Sequence, residues 1–220
     1  MGNCLINHRR KGKQYAYYQL DYIQSSGTQY IDTTYTKPSS NNGPLINMSF
    51  QFTDTSTSTQ ALFGCYHSST YQYRMYIGAT TANKWYLRWR NSEYTSSTTW
   101  ATNTTYSLQA KLTRDDKYIS IGGTKVVNNT DYESNYPSLS MYLFADNNNG
   151  TAEQFSKIRL YSASLYDTTT SSLLYTWVPA IRASDNKTGL WATNTSTFFP
   201  NKATTEFSYG SQTGGLGDPI

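Results

Sequence analysis

The sequence predicts an all-β chain folded as a two-sheet antiparallel sandwich, and three observations carry that prediction. Thr, Ser, Tyr and Asn dominate the 220 residues, with 21 Tyr and only 37% hydrophobic positions, and no long helix-period pattern occurs. About a dozen strand-length segments are separated by turn clusters at spacings of about 8 to 12 residues, as in sandwiches and barrels. Residues 45–52 give the cleanest period of two, with Ile46, Met48, Phe50 and Phe52 alternating against Asn47, Ser49 and Gln51. The length fits one large domain with a core of bulky aromatics.

In order, residues 15–24 and 28–33 form short strands around the turn Ser25-Ser26-Gly27, and residues 37–43 form a loop. After the 45–52 strand come a polar turn over 54–59 and a strand over 60–66. Residues 71–77 and 84–90 read as neighbouring strands joined by a loop over 78–83. Tyr71, Tyr73, Met75 and Ile77 share one face of the first, and Trp85, Leu87 and Trp89 one face of the second. These apolar sets are expected in the core. Gln72, Arg74, Tyr76, Tyr86, Arg88 and Arg90 then lie together on one exposed sheet face.

Strands over 106–113 and 118–121 are joined by the turn Arg114-Asp115-Asp116-Lys117, and Gly122-Gly123 turns the chain into 124–127. A core strand over 139–145 ends at Asp146-Asn147-Asn148-Asn149-Gly150. Residues 155–166 alternate again, 167–172 turn, and 173–178 form a strand that Pro179 ends because it has no N–H for a ladder. Residues 182–191 are expected as an ordered loop packed on the body. Three domains of behaviour follow: a basic flexible arm over 1–14, the sandwich over 15–210, and a flexible Gly- and Pro-containing tail over 211–220.

Two phrases carry a family likeness. Leu20 to Thr33 reads LDYIQSSGTQYIDT, and Val178, Pro179, Arg182, Ser184, Asp185, Gly189 and Leu190 form a second spaced motif. Over about residues 18–210 the chain resembles the concanavalin A-like, laminin G-like jelly-roll modules found in gut bacteria and their phages. The resemblance implies a jelly-roll sandwich. It leaves function open, since such folds host lectins, hydrolases and structural modules.

Charge and cysteine content bound the function further. Arg9, Arg10, Lys11 and Lys13 account for the net charge of +4, and the remaining 14 basic and 14 acidic residues cancel. A neutral body argues against nucleic acid as the partner. The arm is read as a solvated tail or a docking element. No apolar run approaches the ~20 residues of a membrane span, and the order of charges in residues 1–13 is the reverse of a secretory signal. Cys65 is expected as a buried free thiol, with Cys4 in the arm, and the two do not form a disulfide framework.

No catalytic constellation is found. The glucanases of this fold carry Glu-x-Asp-x-Glu on one strand, whereas Glu93, Glu133, Glu153 and Glu206 are scattered here. His67 has no identifiable nucleophile to serve. Asp146, Asn147 and Asn149 supply oxygens of the kind calcium prefers, and equally those of an ordinary turn, so no cofactor is assigned and calcium stays an open alternative. The face of Gln72, Arg74, Tyr76, Tyr86, Arg88 and Arg90 combines rings for stacking on sugars with hydrogen-bonding groups for hydroxyls, as does a rim of His67, Tyr71 and Asn147. A subunit contact or a merely solvated face are the competing readings. The expectation is a non-catalytic lectin-like module contacting glycans on a host surface. Its expected setting is a phage virion, as a decoration protein or fibre head held to other virion proteins by the arm. The alternatives are a free carbohydrate-binding module outside or on a bacterial cell, and a purely structural particle protein or homo-oligomer.

Overall fold

The computed structural model describes residues 13–39, 41–55, 58–78, 83–135 and 137–219. Arg9, Arg10 and Lys11 lie outside the described residues, and Lys13 is exposed. No helix of the described residues is long and apolar enough to cross a membrane.

Twenty strands are found among these residues. The first half holds β1 (Tyr15–Leu20), β2 (Ile23–Gln24), β3 (Ile31–Thr36), β4 (Asn42–Phe52), β5 (Gln60–Ser68), β6 (Tyr71–Ile77), β7 (Lys84–Trp89), β8 (Ser92–Thr99) and β9 (Thr105–Thr113). Then come β10 (Lys117–Ile121), β11 (Thr124–Asn129), β12 (Ser140–Leu143), β13 (Asp146–Asn148), β14 (Thr151–Glu153), β15 (Ile158–Asp167) and β16 (Ser172–Arg182). The last are β17 (Thr188–Ala192), β18 (Thr197–Pro200), β19 (Ser208–Tyr209) and β20 (Gln212–Pro219). One sheet runs β11-β10-β9-β4-β15-β16-β1-β20, with β17, β18, β2 and β19 attached at its side. The other runs β14-β13-β5-β6-β7-β8, with β12 and β3 beside β5. Pairing between named strands is antiparallel except where β13 lies parallel to β5. This is the predicted antiparallel jelly-roll sandwich.

The core lies between the sheets. The alternation of β4 buries Ile46, Met48, Phe50 and Phe52. Trp85 closes over Phe50 and Phe52 from the facing sheet, with ring centroids 6.3 and 5.6 Å away. Trp85 and Trp89 are fully buried, as the alternation predicts, and so is Trp177, while Cys65 is the buried free thiol expected of it. Each such side chain contributes about 1.5–3 kcal/mol by leaving water.

Four expectations are corrected. Pro179 does not end its strand. β16 pairs with β15 as far as Trp177 and with β1 from Ala180, so the missing N–H falls at the handover between neighbours. The 182–191 loop is partly strand, with β17 paired to β16 and β18. Gly189 is needed there, because a Cβ would lie 2.2 Å from the Phe199 carbonyl oxygen. The described part of the expected 211–220 tail is strand, since β20 pairs along β1 from Tyr15 to Leu20. Its Gly-rich sequence has low strand propensity, and the ladder of β1 supplies what propensity lacks.

Lys117 is the fourth. It opens β10 fully buried, with Nζ donating to the carbonyls of Arg114 (2.7 Å) and Asp131 (2.6 Å). Lys37, also buried, donates to the carbonyls of Ser39 and Asn135 and stands 5.0 Å from the Trp89 ring centre. Burial lowers the Lys37 ammonium to about 7. The two lysines pin the irregular crossing from β11 to β12 against Trp89.

Candidate ligand-binding cleft

β6 and β7 pair in the predicted register, with Arg74 opposite Arg88 and Tyr76 opposite Tyr86. Their face away from the core is far less open than predicted. Gln72, Arg74, Tyr76 and Tyr86 expose only 2, 8, 6 and 5% of their surface. Alternation gives the side a residue points to, whereas cover comes from elsewhere in the chain. Tyr76 and Tyr86 stack on each other at 5.2 Å, and the Tyr76 hydroxyl donates to Glu93 from β8. Arg74 lies over the rings of Tyr76 (5.0 Å) and Tyr66 (5.5 Å). Arg88 remains accessible and sits 3.6 Å from Glu93. Arg90 does not join them. It occupies the turn after β7 at φ 55°, and its N–H donates to the Gln72 carbonyl.

The Asp146 segment, some 70 residues away in sequence, meets this face. Between β12 and β13, Phe144 adopts φ 68°, a strained conformation for an aromatic residue. Its N–H donates to the Leu62 carbonyl, and its carbonyl accepts from Ser156, which holds the kink. The kink re-aims the chain so that Asp146 points at Arg74, with Oδ2 2.7 Å from Nη1. Burial pushes the Asp146 carboxyl up to about 6, although Arg74 pulls the other way. Gly64 lies against the pair: a Cβ there would sit 2.4 Å from Arg74 Cβ and 2.6 Å from Asp146 Oδ1. Gln154 completes the base by accepting from Arg74 Nη1 at 3.1 Å.

Over this base opens a polar cleft of about 290 Å³, lined by Tyr66, Gln72, Arg74, Arg88, Asn91, Asn148, Glu153 and Gln154, among others. Sequence reasoning missed Tyr66, Asn91, Glu153 and Gln154, which belong to strand ends and turns without a periodic signal. The three calcium candidates do not converge. Asp146 is paired with Arg74; Asn147 donates to the Ser140 carbonyl and accepts from the Gly150 N–H, as a turn cap does. Asn149 is engaged with His67, Oδ1 to Nδ1 at 2.5 Å. Among the described residues no group of three or more His, Cys, Asp or Glu side chains is placed to hold a metal. Of the rim residues, His67 and Tyr71 are exposed and adjacent, whereas Asn147 is buried.

No family model matches the sequence, and no curated protein does. Solved structures do match in fold. A candidate carbohydrate-binding protein from Bacteroides ovatus superposes with a TM-score of 0.61 at 11% identity. That match covers 94% of this chain and 62% of the other, so this chain spans somewhat under two thirds of that protein. Domains LG4-5 of the mouse laminin α1 chain give a TM-score of 0.48 at 14% identity, over 74% of this chain and 44% of theirs. A heptameric SAP-like pentraxin from Limulus polyphemus gives 0.47 at 11% identity, over 70% and 76%. The architecture is a two-sheet jelly-roll sandwich, a fold that the Bacteroides protein shares.

Proposed function

We propose that this protein is a non-catalytic, lectin-like module that binds glycans in the cleft between β5–β7 and β13–β14. The observation that carries the reading is the convergence of two distant segments on one open polar cleft with a rigid base. Arg88, Asn91, Asn148 and Glu153 offer donors and acceptors around it, above the base that Arg74 and Gln154 form, and the Tyr66 ring stands beside them. Sugar hydroxyls both donate and accept, and sugar C–H faces pack on rings, so a mixed lining of this kind suits them. The Bacteroides protein of the same fold is named for carbohydrate binding, in keeping with this reading. Catalysis is not assigned, because glycoside hydrolysis needs two cooperating carboxyl groups. Here Asp146 is buried against Arg74 at the base. Calcium is not assigned either, for the same reason.

A glycan array with and without EDTA tests the proposal. Reproducible hits that survive EDTA are expected. Arg88→Ala with Asn148→Ala is expected to weaken them at least tenfold, about 1.4 kcal/mol, with an unchanged melting temperature. A blank array overturns glycan binding, and full binding by the double variant removes the cleft.

A particle-borne setting is a second reading. The segregation of Arg9, Arg10, Lys11 and Lys13 ahead of a charge-balanced body favours it. Deleting residues 1–14 should then leave a folded sandwich that no longer joins particles; unaltered incorporation would exclude docking by the arm.

A further inference from the structure

On the outer face of the larger sheet, five adjacent strands place small polar side chains in register. Thr176 (β16), Ser164 (β15), Asn47 (β4), Gln109 (β9) and Ser120 (β10) are consecutive cross-strand partners and form one row. Ser162, Ser49 and Ser107 form a second row beside it. Large side chains border both rows. Tyr166, Leu45, Lys111 and Tyr118 pair in line along one side, and Arg159 and Gln51 pair along the other, next to Tyr161. Small floor and tall borders leave a trough of about 440 Å³ that crosses the strands at right angles. Five strands at the usual sheet spacing make it about 19 Å long.

The floor is chemically ordered. The Tyr118 hydroxyl donates to Gln109 Oε1 (2.7 Å), Gln109 Nε2 donates to Asn47 Oδ1 (2.9 Å), and Asn47 Nδ2 donates to Ser164 Oγ (3.1 Å). This chain fixes both amides and leaves hydroxyls and amide edges facing outward. No charged side chain lies in the floor. The nearest charges are engaged around it: Lys125, which follows Ser120 at the end of the row on β11, lies over the Tyr118 ring at 4.3 Å and donates to Asn128 at 3.2 Å, Lys111 pairs with Asp116 at 2.7 Å, and Arg159 donates to Gln24 at 2.9 Å. An ionic ligand finds no counter-charge there. A flat neutral chain bearing regularly spaced hydroxyls finds a donor or acceptor at each strand and tyrosines along the edge.

From this geometry we infer that the trough is a second binding site, one that takes a neutral, unbranched glycan lying across the strands. The inference rests on the glycan-binding reading above and adds the class of ligand and a separate surface. An uncharged trough is served by hydrogen bonding and apolar and ring contact rather than by charge, so its affinity is insensitive to salt.

The test is calorimetric titration with neutral linear oligosaccharides, from disaccharide to hexasaccharide, of the gluco-, xylo- and manno- series. Affinity is expected to rise with chain length and to hold between 0.1 and 1 M NaCl. Ser107→Trp with Ser162→Trp fills the trough from two exposed positions that make no side-chain hydrogen bond, and at least a tenfold loss is expected. Asn47→Ala with Gln109→Ala removes the amides without adding bulk, and should give the same loss if the tryptophans disturb folding. Wild-type affinity in both variants overturns the trough but leaves the cleft reading standing. Failure of the wild-type protein to bind any glycan overturns both. A concentration-dependent dimer abolished by the tryptophans would instead make this face a contact between copies, and would also overturn the inference.

Discussion

The Arg74–Asp146 pair is where single residues decide most. A buried ion pair is a weak source of stability, but breaking one strands a charge and costs about 3–5 kcal/mol. Gly64 is the position that lets the pair form, because a methyl group there would displace backbone and side-chain atoms of Arg74. Gly64→Ala is therefore expected to lower unfolding stability by about 1–3 kcal/mol, the usual cost of overpacking. It should weaken the cleft at the same time; denaturant melts alongside glycan titration check both. Asp146 also makes a pH prediction. Its carboxyl titrates at about 6 in the folded protein and at 3.8 in an open chain. Between those values the folded state holds the extra proton, so this group's contribution to stability grows as pH falls from about 6 to about 4. Glu206 behaves in the opposite sense. Although burial raises it, bonds from Lys187 and Thr188 hold it below its usual value, so its contribution is lost on acidification. The Asp146 effect is best read as the difference between wild type and Asp146→Asn, in urea melts from pH 7 to 4. A difference that does not change with pH would mean that the carboxyl is not raised.

Elements differ in how far the sequence disclosed them. β4, β6 and β7 were legible because each buries one face in the core, which writes a period of two into Ile46–Phe52, Tyr73–Ile77 and Trp85–Trp89. β8 was not, because Ser92–Thr99 buries only Ser96 and carries no apolar stripe. β20 has the sequence of a tail because a strand of glycines and polar residues has neither propensity nor pattern, and the neighbouring Tyr15 ring fills the space a side chain at Gly215 would need. Its role can be measured. Removing residues 211–220 uncovers the edge of β1 along its whole length, and bare edges invite pairing between copies. The truncated protein should melt several degrees lower, by about 4 °C or more if the loss exceeds ~2 kcal/mol in a chain of this size. It should also elute partly as oligomers. A truncation that melts and elutes as the full chain does would return this segment to the status of a dispensable tail.

At the scale of the molecule, the fold was more legible than the sites. Turn spacing and aromatic alternation are enough for two packed sheets, because both record the core. The cleft depends on a kink at Phe144 and on the meeting of β6–β7 with β13–β14, neither of which leaves a local trace in sequence. The trough was visible only as unremarked Ser and Asn at outward positions, and its shape emerged when register set those positions side by side. The sandwich has a further consequence: the outer faces of its two sheets look in opposite directions. If the proposed cleft on one and trough on the other both take glycan, one chain is bivalent. Two sites on one rigid body cannot both grip the same short oligosaccharide, but they can hold separate strands of a long polymer, where linkage raises apparent affinity well beyond either site alone. Monomeric protein mixed with a long unbranched glucan or mannan that it binds should therefore form turbid cross-linked material at intermediate ratios and clear at protein excess. Ser107→Trp with Ser162→Trp, and separately Arg88→Ala with Asn148→Ala, should each abolish turbidity while leaving residual binding to the soluble polymer. Clear solutions at every ratio, from a wild-type protein that still binds the polymer, would show that only one of the two faces grips glycan.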